Sequence, residues 1–201
     1  MRRTRAVVSP GSALAEDARE DERLVARARE GDRPAFDELV RRHSPMLRRV
    51  LIRITHDPDA ASDAMQEALA RAWRGIGTFE GRSRFSTWLT RIGVNEAYRN
   101  MGREETQSLD ADDLVAEYVP GWGDRPEATF ESREFLAAIG RALRVLPIDY
   151  RAAVVLRDVE GLSTAEAAEV LGIGERALKS RVHRGRLALR AELDDYFQEG
   201  Y

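Results

Sequence analysis

Apolar residues recur along most of the chain at three- and four-residue intervals, the spacing of a single buried stripe on a helix. Leu24, Val25 and Ala28 fall on one side of a short helix that starts near Asp21 and that Gly31 ends. Pro34 stands in a first turn, where its missing N–H leaves nothing unsatisfied. Phe36, Leu39, Val40, His43, Leu47, Val50, Leu51 and Ile54 continue the stripe. Pro45, inside this stretch, predicts a kink or a split near His43. Asp57-Pro58-Asp59 is a stop and restart. Ala61, Ala64, Met65, Ala68, Leu69, Ala72 and Trp73 then form the next stripe, closed by Gly75. After a polar loop from Gly77 to Ser83, Phe85, Trp88, Leu89 and Ile92 open a helix that runs to about Met101.

The pattern breaks at residue 104. From Glu104 to Glu134 ten acidic residues face two basic ones, a balance of −8, among Pro120-Gly121, Gly123 and Pro126. That composition reads as an acidic linker. Helical period returns with Phe135, Ile139, Leu143 and Leu146, and Pro147 ends that stripe. A helix over about 149–159 follows, then Gly161. Ser163 to Glu166 spells a capping box, in which the Ser and Glu side chains each reach the other's backbone amide. The short helix it starts ends at Leu171-Gly172, and a last helix runs from Glu175 to about Tyr196. No strand alternation persists anywhere. The expected fold is all-α: a disordered tail over 1–20, a helical domain over 21–103, an acidic flexible linker over 104–129 and a helix-turn-helix domain over 130–196.

Composition narrows the chemistry. The chain has 201 residues, 43% of them apolar, enough for two small cores. It has no cysteine, which excludes disulfides, thiol catalysis and cysteine-based metal sites. His43, His56 and His183 are scattered, so no metal or cofactor is expected. The longest apolar run, Ala152 to Leu156, is far short of the roughly 18 residues that span a bilayer. Arg2, Arg3 and Arg5 precede no signal-peptide core. The expectation is a cytoplasmic protein without a membrane partner. Charge nearly cancels, with 32 basic against 35 acidic residues, so only its distribution can speak for nucleic acid.

That distribution is uneven. Between Gly174 and Arg190 six basic residues face one acidic, a balance of +5 on one helix. Leu178, Val182, Leu189 and Leu193 would face the core. Arg176, Lys179, Ser180, His183 and Arg184 would share the opposite side. A capped helix, a glycine turn and a basic second helix together suit duplex DNA, where cations hold phosphates and a helix start reads base edges. A second cluster interleaves Phe79, Phe85, Trp88 and Tyr98 with Arg82, Arg84, Arg91, Arg99 and Arg103. Aromatics beside cations can stack on unpaired bases, although Phe85, Trp88 and Ile92 at helical spacing equally read as core. A third group, Asp59, Asp63, Gln66 and Glu67, has paired carboxylates but no neighbouring nucleophile or histidine. It reads as a solvated acidic face, not as acid–base catalysis. No enzyme motif appears.

Long motifs in order carry a resemblance: residues 63–73 (DAMQEALARAW), 79–95 (FEGRSRFSTWLTRIGVN), 146–147 (LP), 156–163 (LRDVEGLS) and 179–186 (KSRVHRGR). Over about 21–194 the chain resembles the extracytoplasmic-function sigma factors, the short members of the sigma-70 family of promoter-specificity subunits of bacterial RNA polymerase. The resemblance implies that Asp63, Gln66 and Glu67 dock on the clamp coiled coil of the polymerase largest subunit, with a further contact at the flap region. It implies that Phe79, Arg82, Ser83, Arg84, Phe85, Ser86, Trp88, Arg91, Asn95 and Arg99 belong to the element that melts and captures minus-ten DNA. Arg176, Lys179, Ser180, Arg181, His183, Arg184 and Arg186 would belong to the reader of the minus-thirty-five duplex. The acidic linker would thread the polymerase toward the RNA exit channel. Two small domains on such a linker could be wrapped by an anti-sigma factor. The chain departs from the family at residues 175–178 (ERAL), where Ala177 lacks the usual threonine hydroxyl, and more mildly at Ala64-Met65. A lone dimeric helix-turn-helix regulator would leave the aromatic–arginine loop and the acidic helix unexplained. An enzyme or adaptor on a helical scaffold would need a nucleophile, metal or phosphate loop that the sequence lacks.

Overall fold

The computed structural model describes residues 10–101 and 133–198, with side chains over 16–101 and 138–193. All regular elements among these are helical, as the periodicity predicts. They are α1 (Pro10–Arg29), α2 (Arg33–Thr55), α3 (Pro58–Gly75), α4 (Phe85–Asn100), α5 (Arg133–Val145), α6 (Ile148–Val154), α7 (Thr164–Leu171) and α8 (Glu175–Gln198). A 3₁₀ turn over Ile76–Thr78 follows α3, and α6 runs on into a π-helical turn over Val155–Val159. Residues 1–9 of the expected tail and the expected linker at 104–129 lie outside the described residues.

Two features differ from expectation. α1 reaches back to Pro10, well before Asp21. Ala13-Leu14-Ala15-Glu16 and Ala18-Arg19-Glu20 are strong helix formers, and propensity extends the helix although Glu16 to Arg19 bury nothing. Pro45 does not split α2, which is continuous to Thr55. The proline ring points outward, while Leu39 before it and Leu47, Val50, Leu51 and Ile54 after it are all buried and hold both sides in register. Asp32 caps α2 by accepting from the Ala35 N–H at 3.1 Å. The helix ends at His56, in the left-handed region at φ 54°. Asp57 then caps α3 through the amides of Asp59 and Ala60.

Helices α1 to α4 enclose a core of Leu24, Phe36, Leu39, Leu47, Leu51, Phe85 and Leu89. α3 buries only alanines there, Ala61, Ala64, Ala68 and Ala72, so its backbone approaches its neighbours closely. In the second half the capping box forms as predicted. The Glu166 N–H donates to Ser163 Oγ at 3.2 Å, and the Ser163 N–H donates to Glu166 Oε2 at 2.9 Å. Gly172 takes the left-handed turn at φ 65° that the sequence placed there. α8 crosses α6 at Gly185, where an added Cβ would lie 2.5 Å from Val154 Cγ2 and 3.2 Å from the Tyr150 carbonyl oxygen.

The two halves share one apolar cluster: Val50, Ile54 and Val94 join Leu143, Leu146, Val154, Leu156 and Leu178. α7 packs on α4, and α6 with its π turn packs on α2. Arg151, buried, donates to the Ile54 carbonyl at 2.6 Å. Glu160 receives both Arg49 and Arg53 from α2. His56 lies at this junction. Burial first, then the Arg151 and Arg144 cations, hold its imidazole below the ordinary value, against a hydrogen bond to Leu143 that favours the charged form.

Two outcomes follow for stability. Gly185→Ala should destabilise the chain by about 1–3 kcal/mol through overpacking against α6, read as a lower denaturation midpoint. His56 binds a proton less readily when folded, so its contribution is complete above the ordinary imidazole pKa of about 6.5 and is lost as pH falls below that value and through the lowered folded one. Thermal melts from pH 8 to pH 5 should show this decline, and His56→Gln should flatten it.

Candidate nucleic-acid interface

The basic residues of α8 divide by burial. Arg186 makes two parallel bonds to Asp158, at 2.7 and 2.8 Å, and that carboxylate is nearly inaccessible. Arg181 pairs with Asp149 at 3.3 Å. These two residues, both expected at DNA, tie α8 to α6 and its π-helical turn within their own domain. Arg184 donates to the Tyr150 hydroxyl at 3.3 Å and is half-buried. The face left outward holds Arg176 and Lys179, both exposed, with Ser180 and His183 half-exposed beside them. Leu178, Val182, Leu189 and Leu193 all face the core, as their spacing predicts. The outer face therefore lies at the helix start, where a helix entering the major groove meets base edges.

In the first half the aromatic cluster is mostly core. Phe79 and Phe85 are buried and meet edge to face, with ring centroids 6.2 Å apart. Trp88 lies 4.8 Å from Phe79 and 5.8 Å from Phe85, half-covered, with its outer ring atoms against Gly75. Phe79 and Phe85, read as candidates for stacking on bases, thus shape the loop between them and do not face outward. Period alone cannot tell a ring that fills a core from one that waits for a base. In the loop itself Arg82 and Arg84 are exposed, Arg82 pairs with Glu80 at 2.7 Å, and Ser83 and Ser86 are half-exposed.

Arg91, Asn95 and Arg99 are exposed along α4. Asn95 and Arg99 enter a cleft between α3 and α4, floored by Gly75, Ile92 and the buried Glu96, whose far wall is Arg71 and Arg74. Glu96 accepts Arg71 at 2.7 Å and Arg99 at 2.8 Å, which fixes both guanidinium groups at the rim. An amide that can donate and accept, set among arginines beside the apolar Ile92, suits a base and its phosphate. Arg71 and Arg74 were missed in the sequence. Their signal is their place one and two turns beyond Glu67 on α3, but only the packing of α3 on α4 shows that they close the cleft.

α3 carries Asp63, Gln66 and Glu67, all exposed. With Arg71 and Arg74 they form one outward stripe, acidic in the first half and basic in the second, the polarity that a helix macrodipole favours. Among the described residues no group of side chains is placed to hold a metal, and no helix is long and apolar enough to cross a membrane.

Residues 39–107 match the family model of sigma-70 region 2, and residues 136–189 match that of sigma-70 region 4. The chain is 37% identical over 182 residues to the ECF RNA polymerase sigma factor SigM of Mycobacterium tuberculosis, covering 90% of this chain and 88% of SigM. The solved structure of CnrH in complex with the cytosolic domain of CnrY superposes with a TM-score of 0.65 at 27% identity, over 88% of this chain and 98% of that one. The sigma factor RpoE in complex with the anti-sigma factor NepR, from Bartonella quintana, gives a TM-score of 0.60 at 31% identity, over 79% of this chain and 96% of that one.

The cleft generates a two-part expectation. Arg74→Ala should weaken binding of a single-stranded oligonucleotide and lower the salt slope by about 0.7, the value for one phosphate contact. Asn95→Ala should weaken it with the slope unchanged. Fluorescence anisotropy over a salt series checks both, and identical slopes for the two variants would remove Arg74 from the phosphate path.

Proposed function

The chain belongs to the extracytoplasmic-function RNA polymerase sigma factors, and from that membership we propose how its surfaces divide the work of initiation. The protein is an alternative sigma factor, a cytoplasmic specificity subunit with no catalysis of its own, that joins core RNA polymerase in response to a stress or envelope signal. The acidic half of α3, with Asp63, Gln66 and Glu67, docks on the clamp coiled coil of the largest subunit. The loop with Arg82 to Ser86 and the α3–α4 cleft with Arg91, Asn95 and Arg99 take the melted minus-ten strand. Phe79, Phe85 and Trp88 hold that loop in shape. The outer face of α8, with Arg176, Lys179, Ser180 and His183, enters the minus-thirty-five duplex, and Arg184 reaches it if it leaves Tyr150. Arg181 and Arg186 set the angle of the helix. The C-terminal domain also meets the flap region, and an anti-sigma factor that grips both domains would keep the chain from the polymerase.

The outward stripe of α3 carries this reading. A single helix face that is acidic over Asp63 and Glu67 and basic over Arg71 and Arg74 suits a protein contact that hands over directly to DNA. The test is transcription from promoter fragments by purified core polymerase with and without the chain. Promoter-dependent transcripts should appear only with it.

Glu67→Arg should reduce co-elution with core polymerase by about tenfold, roughly 1.4 kcal/mol. Binding of α8 to duplex DNA should be untouched, because the substitution lies in the other domain. Wild-type co-elution of this variant would move the docking surface elsewhere.

A further inference from the structure

Among the described residues the α3–α4 cleft holds three arginines and, at its floor, a single carboxylate, Glu96. Glu96 is only 3% exposed. Burying a carboxylate costs free energy that its ion pairs rarely more than offset, and an apolar side chain would fill the same place at less cost. α3 already approaches α4 closely through Ala68 and Ala72, both fully buried. Closure of the two helices therefore does not call for a charge here.

What the carboxylate does is divide its two oxygens between the helices. Oε1 accepts from Arg71 Nε of α3 at 2.7 Å, and Oε2 accepts from Arg99 Nη1 of α4 at 2.8 Å. A guanidinium presents five N–H donors in a rigid planar fork. Each arginine is held through one of them, and its others have no partner among the described residues. Arg74, by contrast, folds back on the Ala70 carbonyl at 3.2 Å and takes no part in this arrangement. One fork thus stands on each side of the cleft, at a separation that a single buried group sets. Two cations on one anion leave the pair positive, and a ligand with several anionic oxygens suits two such forks. Asn95, exposed beside Glu96, lines the same cleft.

We propose, on the footing of the reading above, that Glu96 is a positioning residue: it sets Arg71 and Arg99 as a two-sided clamp on one phosphate of the melted strand. It touches no nucleotide and acts through the two arginines. Glu96→Gln keeps the shape and the burial. Its amide has one acceptor oxygen, and its NH2 group meets a guanidinium donor to donor, so it can hold one arginine and releases the other. The sign of the effect separates positioning from bulk charge. Removing an anion beside a phosphate, taken as charge alone, tightens binding and leaves the salt slope at least as steep. Losing a set clamp weakens binding in spite of the more positive surface.

The probe is a short fluorescein-labelled single strand of mixed sequence, bound by the full chain over a salt series. Glu96→Gln should weaken binding about tenfold, the scale of one charge-assisted hydrogen bond. It should also lower the salt slope by about 0.7, the value for one phosphate contact. Circular dichroism should show the helices intact. Arg99→Lys, at an exposed position, keeps the charge without the fork and should weaken binding likewise. The double variant should bind no more weakly than Glu96→Gln alone, because the two residues act as one unit. Unchanged or tighter binding by folded Glu96→Gln, or additive losses in the double variant, overturns the clamp. So does unchanged binding by Arg99→Lys, which decides the matter if Glu96→Gln does not fold. Each of these leaves the sigma reading standing. If the parent fails to direct promoter-dependent transcription by core polymerase, that reading falls and the clamp falls with it.

Discussion

The structure depends on how one buried cation is satisfied. Arg151 lies in α6 with 7% of its surface exposed. A guanidinium cannot shed its charge, so burying it is tolerable only when its donors are all met. Nε donates to the Leu143 carbonyl, one terminal nitrogen to the Ile54 carbonyl, and the other to the Arg144 and Leu146 carbonyls. Three of these acceptors end α5, where a helix leaves carbonyls without partners and its dipole favours a cation. The fourth belongs to the last turn of α2. A single side chain therefore finishes one helix of the C-terminal domain and fastens it to the N-terminal one. Any motion that parts the domains must replace the Ile54 bond with water, while the three bonds to α5 can persist.

The same economy explains why a helix with a local charge of +5 need not repel itself. Arg181 and Arg186 are spent on Asp149 and Asp158, both largely buried. Their charge fixes the angle at which α8 leaves α6, in company with the close crossing at Gly185. The helix start, with Arg176 and Lys179, is thereby carried on an element held firmly against α6. Tyr98 shows what burial does to the neutral partner at this junction: desolvation, followed by the Asp149 charge, pushes its phenol well above the ordinary range, so it stays protonated.

Much of this was legible in the sequence because helices announce themselves through period and punctuation. Asp57-Pro58, the capping box at Ser163 and the turn at Gly172 are local chemistry, and each is where the residues put it. Burial of Leu178, Val182, Leu189 and Leu193 followed from spacing alone. The start of α1 was less legible, since residues 10–20 form helix by propensity without a stripe to mark them. Pro45 misled for the opposite reason: a local breaker was overridden by buried residues on both sides of it. At the candidate sites, charge was legible and its use was not. Arg181 and Arg186 look like DNA contacts until the carboxylates across the fold are known. Phe79 and Phe85 share one sequence pattern between two fates. Arg71, Arg74 and the whole junction around Arg151 and Glu160 depend on pairings up to 111 residues apart, which no local window can show.

The junction combines a small apolar centre with polar contacts around it. An interface closed by many large apolar side chains would expose a hydrophobic patch each time it opened, and such patches invite aggregation. From the N-terminal side only Val50, Ile54 and Val94 enter the shared cluster as fully buried residues. Met46, Tyr98 and Met101 pack partly buried against that cluster, and polar contacts surround it: Arg49 and Arg53 on Glu160, Arg84 facing Glu166, Arg151 on a carbonyl. The Arg84–Glu166 pair lies near the surface, where water and salt replace an ion pair readily and it is worth little net free energy, whereas Glu160 and Arg151 are enclosed. Polar contacts also demand particular partners, so they hold one closed arrangement.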